Sequence, residues 1–267
     1  MIRSLITISI LLLSLSGCII YVEGANHAPL QHKQVIKQIN AQDLNSLTAN
    51  VGAGQLTIHG IKEQKNIIVT ANIYYHDSIP TIFTLEHHDK NAILKANFEE
   101  RSHIQPTPYI DLTISIPSHL PLIINDGSGA INITNMEANI QLTDGSGHIN
   151  ILGGHHLTIN DGSGSIDIKN NLGNIMITDG SGTMTINHSA GDLIIDDGSG
   201  DINLQHIAGN IKINDGSGDI NVNKTQGTVT LNDGSGDINI NNTQGLTILA
   251  AGSGEVDIDN IHGSIKM

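Results

Sequence analysis

Seven copies of Asp-Gly-Ser-Gly, beginning at Asp126, Asp144, Asp161, Asp179, Asp197, Asp215 and Asp233, recur at steps of 18 residues, with a single step of 17 from Asp144 to Asp161. An eighth copy, Ala251-Gly252-Ser253-Gly254, keeps the glycines and loses the acid. A fixed period near 20 residues confines the chain to a repeat architecture, in which no unit buries its own apolar face and each covers the next. Within a unit, apolar and polar residues alternate twice over five residues, as in Asp219-Ile220-Asn221-Val222-Asn223 and Thr228-Val229-Thr230-Leu231-Asn232. That is the period of a half-buried strand. A second glycine column, Gly173, Gly191, Gly209, Gly227, Gly245 and Gly263, supplies another turn per unit.

Stacking such units predicts inward columns. One runs Ile131, Ile149, Ile166, Met184, Ile202, Ile220, Ile238, Val256 and its neighbour Ile133, Ile151, Ile168, Ile186, Leu204, Val222, Ile240, Ile258. The facing strand contributes pairs from Ile140/Leu142 to Val229/Leu231. The outward column Asn132, Asn150, Asp167, Thr185, Asn203, Asn221, Asn239, Asp257 suits side-chain hydrogen bonding from one unit to the next. With strands ~4.8 Å apart the array makes a rod roughly 35–40 Å long. The fold expected is all-β: a parallel β-solenoid of about eight 18-residue two-strand coils over residues 121–267, with broader, irregular β coils at its N-terminal end.

Upstream of the array, residues 41–120 read as strands of less regular spacing, at Asn66–Tyr75, Thr81–Glu86, Asn91–Phe98 and Tyr109–Ile116, after a degraded repeat at Asn50-Val51-Gly52-Ala53-Gly54-Gln55-Leu56-Thr57-Ile58. We read the region as capping coils continuous with the rod; a separate small β domain is the alternative. Residues 18–40 lack a clear strand pattern and read as a tether. Residues 1–17 carry a short positive start, Met1-Ile2-Arg3, and an apolar run from Leu5 to Leu15, the pattern of a signal peptide.

Leu15-Ser16-Gly17-Cys18 resembles the lipobox of bacterial lipoproteins. The resemblance implies cleavage before Cys18, attachment of fatty acyl chains such as palmitate to it, and stable membrane anchoring. It also implies an outer-membrane lipoprotein in a Gram-negative cell, because Ile19 stands where an Asp would favour inner-membrane retention. Further along, the strand Tyr109–Pro117, then Leu122-Ile123-Ile124 and Gly-x-Ile-x-Ile repeats with Gly-Ser-Gly turns, is similar to the bacterial putative-adhesin β-strand-repeat family. That likeness covers about residues 44–267, and it implies a solenoid of unknown function with no catalytic residues to carry over.

Charge excludes one partner class. The net charge is −14, and residues 121–267 hold 17 acidic residues against four Lys and no Arg, so the rod is a poor ligand for nucleic acid. Aromatics are 2% of residues with no Trp, which argues against an aromatic-lined ligand pocket. The turns lack the Gly-Lys-[Ser/Thr] ending of a phosphate loop, and the sixth position of the calcium-binding nonapeptide is Ile220 rather than Asp. No Gly-x-Ser-x-Gly elbow is present, and the array has no Arg to stabilise an anionic intermediate, so the chain reads as non-catalytic.

Two sets of residues remain as candidate ligands. Stacking places the turn aspartates in one column, where each can cap the amides of its own turn as Asx-turns do. Beside it run Asp201, Asp219, Asp237 and Glu255. Where the two runs coincide, at Asp197, Asp201, Asp215, Asp219, Asp233 and Asp237, the carboxylates are candidate ligands for Ca²⁺, with modest affinity because no cage of six or more oxygens is evident. His188 and His206 share a column ~4.8 Å apart and are a weaker candidate for Zn²⁺ or Ni²⁺. The functional expectation is a lipid-anchored envelope rod with a structural or adhesive role. Its expected partners are the membrane, through the lipid, and an envelope protein, a surface glycan or, end to end, another rod. A cation- or ligand-binding sensing module in the envelope is the alternative.

Overall fold

The computed structural model describes residues 29–99 and 105–267, and every regular element in them is a strand. The leader, Cys18 and the first part of the expected tether lie outside the described residues. The strands form two twelve-stranded sheets with one continuous apolar core between them, running from Ala41 to Ile248.

The N-terminal part contributes β1 (Gln31–Asn40), β2 (Ser46–Val51), β3 (Leu56–Ile61), β4 (Asn66–Tyr75), β5 (Thr81–His88), β6 (Asn91–Phe98) and β7 (Tyr109–Pro117). From β8 (Leu122–Asn125) and β9 (Ile131–Met136) onward the chain alternates between the sheets, each strand parallel to its predecessor one coil back. The regular array is therefore the parallel β-solenoid that the period dictates. Its expected inward columns are buried up to the last coil, where Val256 and Ile258 are half-buried: Ile131, Ile149, Ile166, Met184, Ile202, Ile220 and Ile238 are each 0% exposed. At roughly 1.5–3 kcal/mol per buried aliphatic side chain, these columns are the main source of cohesion.

Asp-Gly-Ser-Gly is what the stacking requires at one corner. The second glycine of each turn has φ between +134° and +156°, and a Cβ there would lie 1.5–1.9 Å from a carbonyl oxygen of the coil beneath. Only glycine fits both the backbone and the space. The opposite corner instead uses residues in the left-handed region, Asn135, Asn170, His188, His206, Lys224, Asn242 and Asn260, with φ from 53° to 60°. The 17-residue step falls at this corner. Leu152 still pairs with Thr134, but Gly153 pairs with Met136, so Asn135 has no counterpart and Gly153-Gly154 close the turn with φ of 99° and 96°. The missing residue is absorbed by this register shift at the end of the β9–β11 ladder, and the following coils stay in phase.

Order along the chain and order in space differ near the start. The degraded repeat forms the coil β2–β3, with Asn50 opposite Asn125 and Leu56 opposite Ile131. The chain then leaves it, builds β4 and β5, and returns as the coil β6–β7 on the far side of β2–β3. It next passes the β2–β3 coil to begin the array. Antiparallel β4 and β1 extend one sheet and antiparallel β5 the other. The tether reading of residues 18–40 needs correction here, since Gln31–Asn40 is a ten-residue strand paired along its whole length with β4. Its inward side carries Val35, Lys37 and Ile39, with Ile36 outward, an alternation too sparse to read. Lys37 is accommodated by placing its Nζ 5.5 Å from the centre of the Phe83 ring.

Candidate functional site

The seven turn aspartates close strands of the pattern Ile140-Gln141-Leu142-Thr143-Asp144, in which alternate residues face inward. The Asp shares the parity of the two aliphatic residues and points into the rod. Asp144, Asp161, Asp179, Asp197, Asp215 and Asp233 are only 3–4% exposed and Asp126 is 9% exposed. Successive members pair directly across the sheet. The column ends at Ala251 above Asp233, and the register of β2 with β8 puts Val51 level with Asp126 at the other end. What reads from sequence as an acidic edge is thus an interior column.

Five of the seven carboxylates are half satisfied. One oxygen of Asp144, Asp161, Asp179, Asp215 and Asp233 accepts the N–H of the Ser two residues on, at 3.2–3.3 Å. The other oxygen is buried without a partner, and for Asp126 and Asp197 neither oxygen has one. Burial, reinforced by Asp144, pushes Asp126 up to about 7. Burial, reinforced by Asp179 and Asp215, does the same for Asp197. Asp161 and Asp215 rise to about 6 and the other three also rise, burial being the largest cause in every case. The turn amides pull the other way and do not prevail.

The six expected calcium ligands are not brought together. Asp197, Asp215 and Asp233 lie inside, while Asp201, Asp219 and Asp237, four residues on, lie on the solvent side of the glycine turn. The outer run is occupied in another way, since each Oδ1 accepts a backbone N–H from the next coil at 3.2, 3.0 and 2.8 Å. Among the described residues, no three His, Cys, Asp or Glu converge to hold a metal ion. A matching ladder precedes the other strand, where Asn174, Asp192 and Asn210 accept from Asp192, Asn210 and Thr228 at 3.1, 2.7 and 3.0 Å. These positions carry a recurring Asn or Asp just before each strand, a signal present in the sequence that strand alternation does not capture.

At the left-handed corner, His188 and His206 stack with centroids 4.5 Å apart and ring planes 17° from parallel. His206 Nδ1 lies 3.2 Å from Asn187 Oδ1. Burial, then His188 and Lys224, hold the His206 imidazole below its usual range. The pair borders an open groove of about 510 Å³, whose lining includes Lys224, Gln226, Gln244 and His262. His87 and His88 end β5, and His155 and His156 meet edge to face at 4.2 Å.

The outward faces are mostly polar and repetitive, with Leu152, Met176 and Ile194 as exposed apolar exceptions. Asn150 donates to Asn132 at 3.4 Å and Asn221 to Asn203 at 3.2 Å. On the other sheet, Asn214 donates to Asp196 at 2.7 Å and Asn232 to Asn214 at 2.6 Å.

A family model described as Toastrack DUF4097 matches residues 83–266. Among solved structures, the chain is similar to a putative adhesin from Parabacteroides merdae ATCC 43184, with 12% identity, coverage of 91% of this chain and 100% of that one, and a TM-score of 0.42. It is similar also to a putative lipid binding protein from Parabacteroides distasonis ATCC 8503, with 12% identity, 88% and 96% coverage and a TM-score of 0.41. A third is a putative cell adhesion protein from Clostridium sporogenes ATCC 15579, with 14% identity, 86% and 99% coverage and a TM-score of 0.34. No curated protein matches the chain.

Proposed function

The chain belongs to the Toastrack DUF4097 family, and from that premise we propose that it is a non-catalytic, lipid-anchored rod of the bacterial envelope with a structural or adhesive role. The observation that carries this reading is the outward polar ladder. Asn132 and Asn150, then Asn203, Asn221 and Asn239, occupy one column, with Asp167 and Thr185 between the two runs, on a backbone that holds them in register. A rigid, mostly Asn column of evenly spaced polar groups suits a ligand that is itself repetitive, such as a surface glycan or the sheet of another envelope protein. Anchoring is supported by the lipobox-like Leu15-Ser16-Gly17-Cys18, and an outer-membrane address by Ile19.

Two measurements test the reading. Cys18→Ala is expected to abolish metabolic fatty-acid labelling and to release the chain from the membrane fraction; unchanged labelling sinks the anchor. Vesicles bearing the full chain are expected to bind isolated envelope glycan, and Asn203→Ala with Asn221→Ala and Asn239→Ala to weaken that binding by about tenfold, roughly 1.4 kcal/mol. Equal binding by the triple variant removes the ladder from the argument.

A further inference from the structure

The aspartate column has a chemical problem that its own turn does not solve. Seven carboxyl groups stand in one interior file, each repeating at the strand spacing of ~4.8 Å. In every one at least one oxygen is buried without a hydrogen-bond partner, and Asp126 and Asp197, at 9% and 4% exposed, lack partners on both. Among the described residues, the charged groups that act on them are other aspartates: Asp144 on Asp126, Asp144 and Asp179 on Asp161, Asp179 and Asp215 on Asp197, Asp233 and Asp201 on Asp215, and Asp219 on Asp233. Buried carboxylates facing like charges, with no cation to pair, lower their free energy by taking up protons rather than by remaining ionised.

We propose that the column is a proton-binding ladder, in which protonated aspartates donate O–H to the unpartnered carboxylate oxygens of the adjacent coils. The proton comes from water, and each one bound removes one negative charge and satisfies two orphaned oxygens together. Seven acids in a file allow the shared-proton pairs Asp126/Asp144, Asp161/Asp179 and Asp197/Asp215, with Asp233 left against Ala251, so the ladder fills as pH falls through about 7 to 6. The raised pKa values of all seven agree with this geometry. A hard cation fits less well, because it requires about six or more oxygens and the column offers roughly one free oxygen per coil. The inference stands on the interior of the rod and is independent of what the outer faces bind.

The ladder makes the rod stabler in mild acid. A carboxyl whose folded pKa exceeds its unfolded value contributes stability that is fully present below the unfolded value, near 4, and lost as pH rises through the folded value, here about 6 to 7. The direct test is carboxyl ¹³C NMR of the full chain labelled at Asp, titrated from about pH 4 to 9. Column resonances titrating together above about pH 5 are expected; seven carboxyls all ionising near the ordinary value of about 3.9 would overturn the proposal. The second test is Asp161→Asn with Asp197→Asn, which replaces two acids by neutral groups that also donate. At about pH 8 its Tm is expected to exceed the parent's by about 5 °C, with a flatter dependence on pH. A Tm equal to or below the parent's with an unchanged pH slope overturns the ladder. So does a Ca²⁺-specific rise in parental Tm, relative to chelator and to NaCl of equal ionic strength, that the double variant loses.

Discussion

The N-terminal strands and the regular array share both sheets and one core, yet they solve opposite problems. In the array every coil meets a copy of itself, so one residue type at one position satisfies both neighbours and the sequence becomes periodic. In β1–β7 the strands meet partners unlike themselves, and β6 and β7 mark the change, parallel to the β2–β3 coil on one side and antiparallel to β5 and β4 on the other. The described aromatic residues, Tyr74, Tyr75, Phe83, Phe98 and Tyr109, all lie in this first part. His32 stacks on Tyr74 and Tyr74 on Tyr109, at 4.6 and 4.5 Å, and Lys33 covers Tyr75 at 4.5 Å. Large, individually placed side chains seal an end; small and branched ones extend a file. The difference teaches that periodicity reports self-contact, and that the pattern turns irregular where a coil meets something other than its own copy.

The contrast can be broken at its glycines. Gly182→Ala would place a Cβ 1.5 Å from the Gly164 carbonyl oxygen at φ +142°, and is expected to cost about 4–5 kcal/mol or more, read as loss of the cooperative melt. At Gly52, in the capping end, the nearest atom to an added Cβ is the Asn97 Cβ at 3.3 Å, with backbone atoms no nearer than 3.6 Å, so Gly52→Ala is expected to cost about 1 kcal/mol or less. Equal losses would mean that self-stacking is not what fixes the glycines.

Acidity sharpens it next. Because the raised carboxyl groups among the described residues are those of the array, amide hydrogen exchange corrected for intrinsic pH effects should show array protection falling between about pH 5 and 8, with β4 and β7 changing less. A uniform fall would place the titrating groups elsewhere. A smaller effect is expected at the left-handed corner, where Lys224 occupies a conformation that Asn tolerates better. Lys224→Asn should stabilise by about 0.5–1 kcal/mol in denaturant melts. The smallest concerns Lys62, whose Nζ lies 2.9 Å from Glu137 and joins the capping coils to the first regular one with both side chains largely in water. Lys62→Ala should leave the melting midpoint unchanged within error.

Legibility followed the same division. The inward columns, the corner glycines and the strands Asn66–Tyr75 and Asn91–Phe98 could be read because alternation or period marks them. β1 could not, since two apolar residues flanking Lys37 form no pattern until β4 is in place to pair with them. The passage of the chain around the β2–β3 coil leaves no local trace at all. The inward aim of the aspartates was written in their parity with Ile140 and Leu142, and the expectation that charge faces water concealed it. Their partners above and below are the same residue type, so the sequence alone could not say that one oxygen of each would be left without a donor.

The parallel coils have a mechanical consequence. Every inter-coil backbone hydrogen bond lies along the rod, so a load applied along that axis bears on a single inter-coil seam at a time rather than on all seams together. Such a rod yields by peeling. Each coil that detaches frees 18 residues, about 60 Å of extended chain, before the next seam takes the force. Stretched between two anchorage points, the array would act as a shock absorber that lengthens in even steps, and the coil of 17 residues would be the one short step in the sequence.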